Sequence, residues 1–125
     1  MPRRVLSIGQ CVPDQSAIAR MLTGRFGVEV LSADKAEDGL AALRGGSIDL
    51  VLVNRKLDCD YTDGLEIIRQ IKADAALSNI PCMLVSNYAE HQQTAVAAGA
   101  EHGFGKAELG SPQTHERLKS FLTPS

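Results

Sequence analysis

The chain of 125 residues lacks several features that would settle its class at once. It has no dominant charge: 13 Lys and Arg against 15 Asp and Glu leave a formal net charge of −2, with the signs interspersed. That balance gives no electrostatic case for nucleic acid or for an anionic membrane surface, so the expected partners are proteins or small ligands. No apolar run approaches the roughly 18 residues of a membrane span. The basic start MPRRVLSIGQ leads directly into a short strand-like segment instead of a signal-peptide core. A cytoplasmic location is expected. Cysteines are few: Cys11, Cys59 and Cys82 show no C-x-x-C or His-rich spacing, so no disulfide framework or structural zinc site is indicated. Repeats, low-complexity tracts and linkers are missing too, and residues 1–125 read as one domain.

What is present is a hydrophobic content of 44%, enough for a core at this length, arranged as strands and helices in alternation. Val5 to Ile8 is a short apolar run closed by Gly9, and Pro13 opens a helix with Ile18, Met21, Leu22 and Phe26 at helical spacing. Gly27 stops it, and Val28 to Leu31 is a second strand. Ala36, Leu40 and Leu43 mark a second helix ending at Gly45-Gly46. Leu50 to Val53 is the continuous run of a strand covered on both faces, and Leu65, Ile68 and Ile71 follow as a third helix. Cys82 to Val85 is a fourth strand. Ala89 to Ala98 reads as a helix whose one large aliphatic residue is Val96, and such a helix is expected to be loosely held. Phe104 marks a short fifth strand, and Ser111-Pro112 opens a last helix with Leu118, Phe121 and Leu122. Five βα units with right-handed crossovers predict a parallel sheet between helices, with any site at the carboxyl ends of the strands.

The loops at those ends carry a resemblance. From Arg4 to Leu122 the chain resembles a response-regulator receiver domain of two-component signalling: DLVLVN before an Asp63-Gly64 helix start, then IPCMLVSNYA, then AGAEHGFGKA. The resemblance implies a doubly wound, flavodoxin-like three-layer sandwich with strand order 2-1-3-4-5. In that family an acidic pair follows the first strand, an aspartate that accepts the phosphoryl group ends the third, a Thr or Ser ends the fourth, and a Lys, usually before Pro, ends the fifth. These positions fall here on Gly9 with Gln10, on Asn54, on Ser86 and on Lys106 with Ala107. The family's rotating aromatic falls on Gly103, with Phe104 on the opposite strand face. Ala107 also leaves a cis peptide after Lys106 without its proline.

Without the acidic pair, Mg²⁺ loses the hard oxygen ligands it needs, and an amide at Asn54 is a poor nucleophile toward phosphorus. The loop after Asn54 is about two residues longer than the family norm, and Arg55 with Lys56 opposes a cation there. Arg55, Ser86 and Lys106 have the makings of an anion site; otherwise Lys106 bonds Asn54 and loop carbonyls or reaches Asp14, Asp58 or Asp60. Asn54 reads first as a capping or loop-bracing residue, with a compatible ligand or phosphoryl-mimic role second. Cys11 and Cys59 lie at the same end, which allows a redox or metal reading, while Cys82 reads as core. His91 and His102 are placed on a surface helix and a loop.

The expectation is a non-catalytic, single-domain atypical receiver without metal or cofactor. It would act by phosphorylation-independent contact with a histidine kinase or another signalling protein, as a monomer or weak homodimer, through helix four, strand five and helix five. The first alternative is a conventional receiver phosphorylated on Asp58 or Asp60. The second is a small flavodoxin-like cofactor carrier, which the loop GQCVPDQ disfavours because it lacks a glycine- and hydroxyl-rich phosphate cradle.

Overall fold

Glycine, proline and serine punctuate the chain where their backbone chemistry predicts. In the computed structural model, which describes residues 3–123, strand β1 (Arg4–Ile8) leads into helix α1 (Val12–Phe26), with Pro13 in its first turn. Gly27 ends α1 in the left-handed region, at φ 63°, and its N–H caps the carbonyl of Thr23. Strand β2 spans Glu29–Ala33 and helix α2 Ala36–Arg44. The sequence places this strand at Val28 to Leu31; Val28 is buried but precedes the ladder, and pairing with β1 continues to Ile8 opposite Ala33.

Strand β3 (Leu50–Asn54) is buried along its whole length, and helix α3 (Gly64–Ala73) starts on Asp63, whose carboxylate accepts the Leu65 N–H. Strand β4 (Cys82–Val85), helix α4 (Ala89–Ala97) and strand β5 (Glu101–Phe104) follow. A 3₁₀ turn over Lys106–Glu108 leads to helix α5 (Pro112–Leu122), capped by the Ser111 hydroxyl. All strand pairs are parallel, in the order β2-β1-β3-β4-β5. The architecture is the (βα)₅ flavodoxin-like sandwich expected from the sequence.

Alternation along the strands sorts the core into two layers. Leu6, Ile8, Val51, Val53 and Leu84 meet Leu43 of α2, Ile67, Ile68 and Ile71 of α3 and Ala95 of α4. Val5, Leu50, Leu52, Met83, Val85 and Phe104 meet Ile18 and Leu22 of α1 and Leu118 and Leu122 of α5. Because β3 feeds both layers, its carboxyl end delivers Asn54 between two packed walls.

Candidate functional site

Asn54 lies 8% exposed at the end of β3, and its Nδ2 donates to the Gly9 carbonyl at 3.0 Å. The Asp58 N–H donates to the same carbonyl at 2.9 Å, so both of its lone pairs are used. Gly9 itself sits at φ 78°. A β-carbon there would collide with the side chain of Leu57 and come within 3.0 Å of its Cα. Leu57, a loop residue, is wholly buried beneath Gly9. The space a side chain at position 9 would take is thus filled by an isobutyl group. Gln10 is 7% exposed, and its amide has no hydrogen-bond partner at either end.

The rest of the long β3–α3 loop is built around that buried leucine. The Leu57 N–H donates to Thr62 at 2.9 Å, Tyr61 returns an N–H to Leu57 at 2.8 Å, and Lys56 bridges Asp63 in antiparallel fashion. Asp60 accepts from the Thr62 hydroxyl at 2.7 Å and from its N–H at 3.0 Å, an Asx turn that holds its carboxyl below the usual range. Asp58 and Asp60 are both exposed. The exposed Cys59 thiol donates to the Asp34 carbonyl. Local desolvation, then the Asp60 charge, push its pKa up, away from thiolate chemistry. Cys82 is buried, which pushes its thiol up to about 11.

Lys106 reaches across to α1 and pairs with Asp14 at 2.7 Å. Among the contacts the sequence leaves open for this ammonium, the structure contains the one with Asp14. The bond from Lys106, and then one from the Cys11 thiol at 3.0 Å, hold the Asp14 carboxyl below its ordinary range. Ala107 uses the N–H that a proline would lack, donating to the Asn87 side chain at 3.0 Å. No cis peptide occurs among the described residues.

Arg55 turns away from Lys106. Its Nε donates to His91 Nε2 at 3.0 Å, and His91 Nδ1 lies 2.8 Å from the Ser86 hydroxyl. A guanidinium only donates, so Nε2 is the accepting nitrogen of this contact and Nδ1–H the donor to Ser86. In that arrangement Nδ1 serves Ser86 as a donor and Nε2 serves Arg55 as an acceptor, so both ring nitrogens are engaged. His91 is therefore half-buried and bridging instead of free on the helix surface. The expected trio of Arg55, Ser86 and Lys106 is divided: His91 links the first two, and Asp14 takes the third. Among the described residues, no group of three His, Cys, Asp or Glu converges as a metal would require.

Residues 12–109 match the response regulator receiver domain. The chain belongs to this receiver family. A gliding motility regulatory protein of Myxococcus xanthus is 29% identical over 103 residues, which cover 78% of this chain but only 13% of that protein. Solved receivers share the fold. The chemotaxis protein CheY4 of Vibrio cholerae superposes with a TM-score of 0.77 at 18% identity, over 98% of this chain and 100% of the other. The receiver domain of a DNA-binding response regulator from Colwellia psychrerythraea gives 0.78 at 23%, over 94% and 96%.

One part of this receiver lies outside the apolar pattern of the sequence. Between β4 and β5, Met83 pairs with Glu101 and Val85 with Phe104, so three steps on β5 face two on β4. Such a bulge leaves peptide groups without ladder partners. Gln92, on the inner face of α4 and 3% exposed, supplies them. Its Nε2 donates to Leu84 at 2.9 Å and Ser86 at 3.1 Å, and its Oε1 accepts from Gly103 at 2.8 Å. A β-carbon on Gly103 would strike the Leu84 carbonyl and stand 3.2 Å from that Oε1. Arg117 of α5 donates to the Gly103 carbonyl at 3.1 Å, and His102, on β5, contacts the same oxygen at 3.0 Å. Val96, the one large aliphatic residue of α4, is 45% exposed. The helix is held by a side-chain amide and by Ala95 in place of large aliphatic groups.

Proposed function

We infer that this receiver works in two-component signalling without taking a phosphoryl group, by binding other proteins. The observation that carries this reading is the Gly9–Leu57 contact: apolar carbon fills the ground beside Asn54 where metal-holding carboxylates belong in the family resemblance. Mg²⁺ needs several oxygen ligands with near-ideal geometry. Here Asn54 offers a single neutral amide oxygen, its Nδ2 being bonded to Gly9, and Lys106 is paired with Asp14. A carboxamide, neutral and with its nitrogen lone pair delocalised, is a poor nucleophile toward phosphorus. Receivers interact with kinases and other signalling proteins; the partner proposed here is a histidine kinase or another signalling protein of the cytoplasm, bound by a monomer or weak homodimer. No helix among the described residues is long and apolar enough to cross a membrane.

The test is incubation with acetyl phosphate and Mg²⁺, followed by intact mass, for the wild type and Asn54→Asp. Neither is expected to gain a phosphoryl group, and calorimetry is expected to give Mg²⁺ affinity no better than millimolar. Labelling of the wild type that disappears in Asp58→Asn or Asp60→Asn would replace this reading with that of a conventional receiver using a loop aspartate. Submillimolar Mg²⁺ binding would refute the metal argument.

A further inference from the structure

A cavity of about 160 Å³ opens between α3 and α4, lined by Arg55, Asp63, Leu65, Leu84, His91 and Thr94. A single water needs only about 10–15 Å³, so the space suits a small organic molecule. Two charges of opposite sign line it without meeting. Neither Arg55 nor Asp63 takes part in an ion pair among the described residues. Arg55 is also fixed in orientation: His91 takes its Nε–H at 3.0 Å, which leaves the paired Nη donors for another group. Asp63 uses one carboxylate oxygen on the Leu65 N–H at 3.0 Å and keeps the other. Leu65 and the buried Leu84 supply an apolar wall. The Thr94 hydroxyl donates to Glu90 at 2.9 Å and so presents a lone pair.

We propose that this cavity binds a small zwitterion of the α-amino-acid class. The ligand carboxylate lies on the Arg55 fork, where two parallel N–H bonds can form. The ammonium lies against Asp63 with the Thr94 oxygen beside it, and a short aliphatic side chain covers Leu65 and Leu84. A simple anion would satisfy Arg55 and leave Asp63 repelling it; a simple amine would do the reverse. Only a molecule with both charges on a short span answers both walls. The site is distinct from Asn54 and stands whether or not the chain is phosphorylated.

The experiment is an NMR titration of the full chain with L-leucine, followed at the Arg55 Nε and at the amides of Leu65, His91 and Thr94. Isocaproate and isoamylamine, leucine without its ammonium and without its carboxylate, are run alongside. Leucine is expected to give saturable shifts at these residues, with the two analogues at least about tenfold weaker, as loss of one charged contact implies. Asp63→Asn keeps an acceptor for the helix cap and Arg55→Gln keeps a donor; each is expected to weaken leucine about tenfold while retaining the wild-type spectrum elsewhere. Thr94→Leu narrows the mouth without changing charge and is expected to abolish the shifts. Isocaproate binding as well as leucine, with Asp63→Asn unaffected, would show an anion site and overturn the proposal. So would the absence of shifts at tens of millimolar leucine, alanine or glycine.

Discussion

The two halves of the sheet's carboxyl edge solve opposite problems. At β1 and β3, Leu57 fills the room beside Gly9; at β4 and β5, Gln92 fills the room beside Gly103. The fillers differ because the backbone differs. Around Gly9 the peptide groups are already bonded, N–H to Ala33 at 2.7 Å and carbonyl to Asn54 and Asp58, so hydrocarbon costs nothing there. At the bulge the Leu84 carbonyl and the Gly103 N–H face each other out of register, and hydrocarbon would leave both unsatisfied. A glycine in each place makes the room, and the valence of the surrounding backbone decides whether an apolar or a polar side chain enters it.

The largest effect that would test this contrast is Gly9→Asp. It adds a collision with Leu57 to a left-handed backbone, and a loss of about 4 kcal/mol is expected from urea unfolding. Leu57→Ala should itself cost about 3 kcal/mol but shrink the further cost of Gly9→Asp. An equal cost in both backgrounds would remove Leu57 from the account. Next is Gln92→Leu, similar in size but unable to serve three backbone groups. A loss of about 3 kcal/mol is expected, with faster hydrogen exchange at Gly103; a neutral result would mean that the bulge does not need its amide. Asn54→Asp loses the donor to Gly9 and sets a carboxylate against its carbonyl, for about 1–2 kcal/mol in the same assay.

The smallest effect concerns Lys106 and Asp14, each about a third exposed, so solvent screening limits the pair to about 0.2–1 kcal/mol. Because the folded pKa of Asp14 lies below its ordinary 3.8, this contribution is present above the ordinary value. It is lost as pH falls through the depressed one. Lys106→Ala should therefore lower stability at neutral pH and flatten the acid limb of the stability profile; an unchanged limb would show that the pair contributes nothing.

The order of elements was legible because several boundaries are marked by a residue with a local reason to be there: Pro13, Gly27, Asp63, Ser111. The central position of β3 was legible from Leu50 to Val53, whose unbroken apolar run only makes sense with both faces covered. The site residues were legible one by one, but not their partners. Leu57 lies amid charged loop residues, and nothing local distinguishes a plug from a stray aliphatic. Gln92 was passed over because helical periodicity counts apolar residues, and the inner face of α4 is polar at its centre. Its spacing of three from Ala95, and its distance of four from Tyr88 at the helix start, were the available signals. His91 shows the same limit: its partners Arg55 and Ser86 come from β3 and β4, and only the packed fold brings them to one ring.

The Gln92 contacts also bear on the route by which the chain folds. They join residues 8, 6 and 11 positions apart, whereas Asn54 and Gly9 are 45 apart. Closing short loops is fast and entropically cheap, so the β4–α4–β5 unit can assemble around its amide before the distant strands have met. In a chevron plot, Gln92→Leu should then act mainly by slowing refolding, as expected of a group already bonded in the transition state. Changes at Gly9 and Asn54 should leave refolding nearly untouched and hasten unfolding, because the loop over β3 is sealed last.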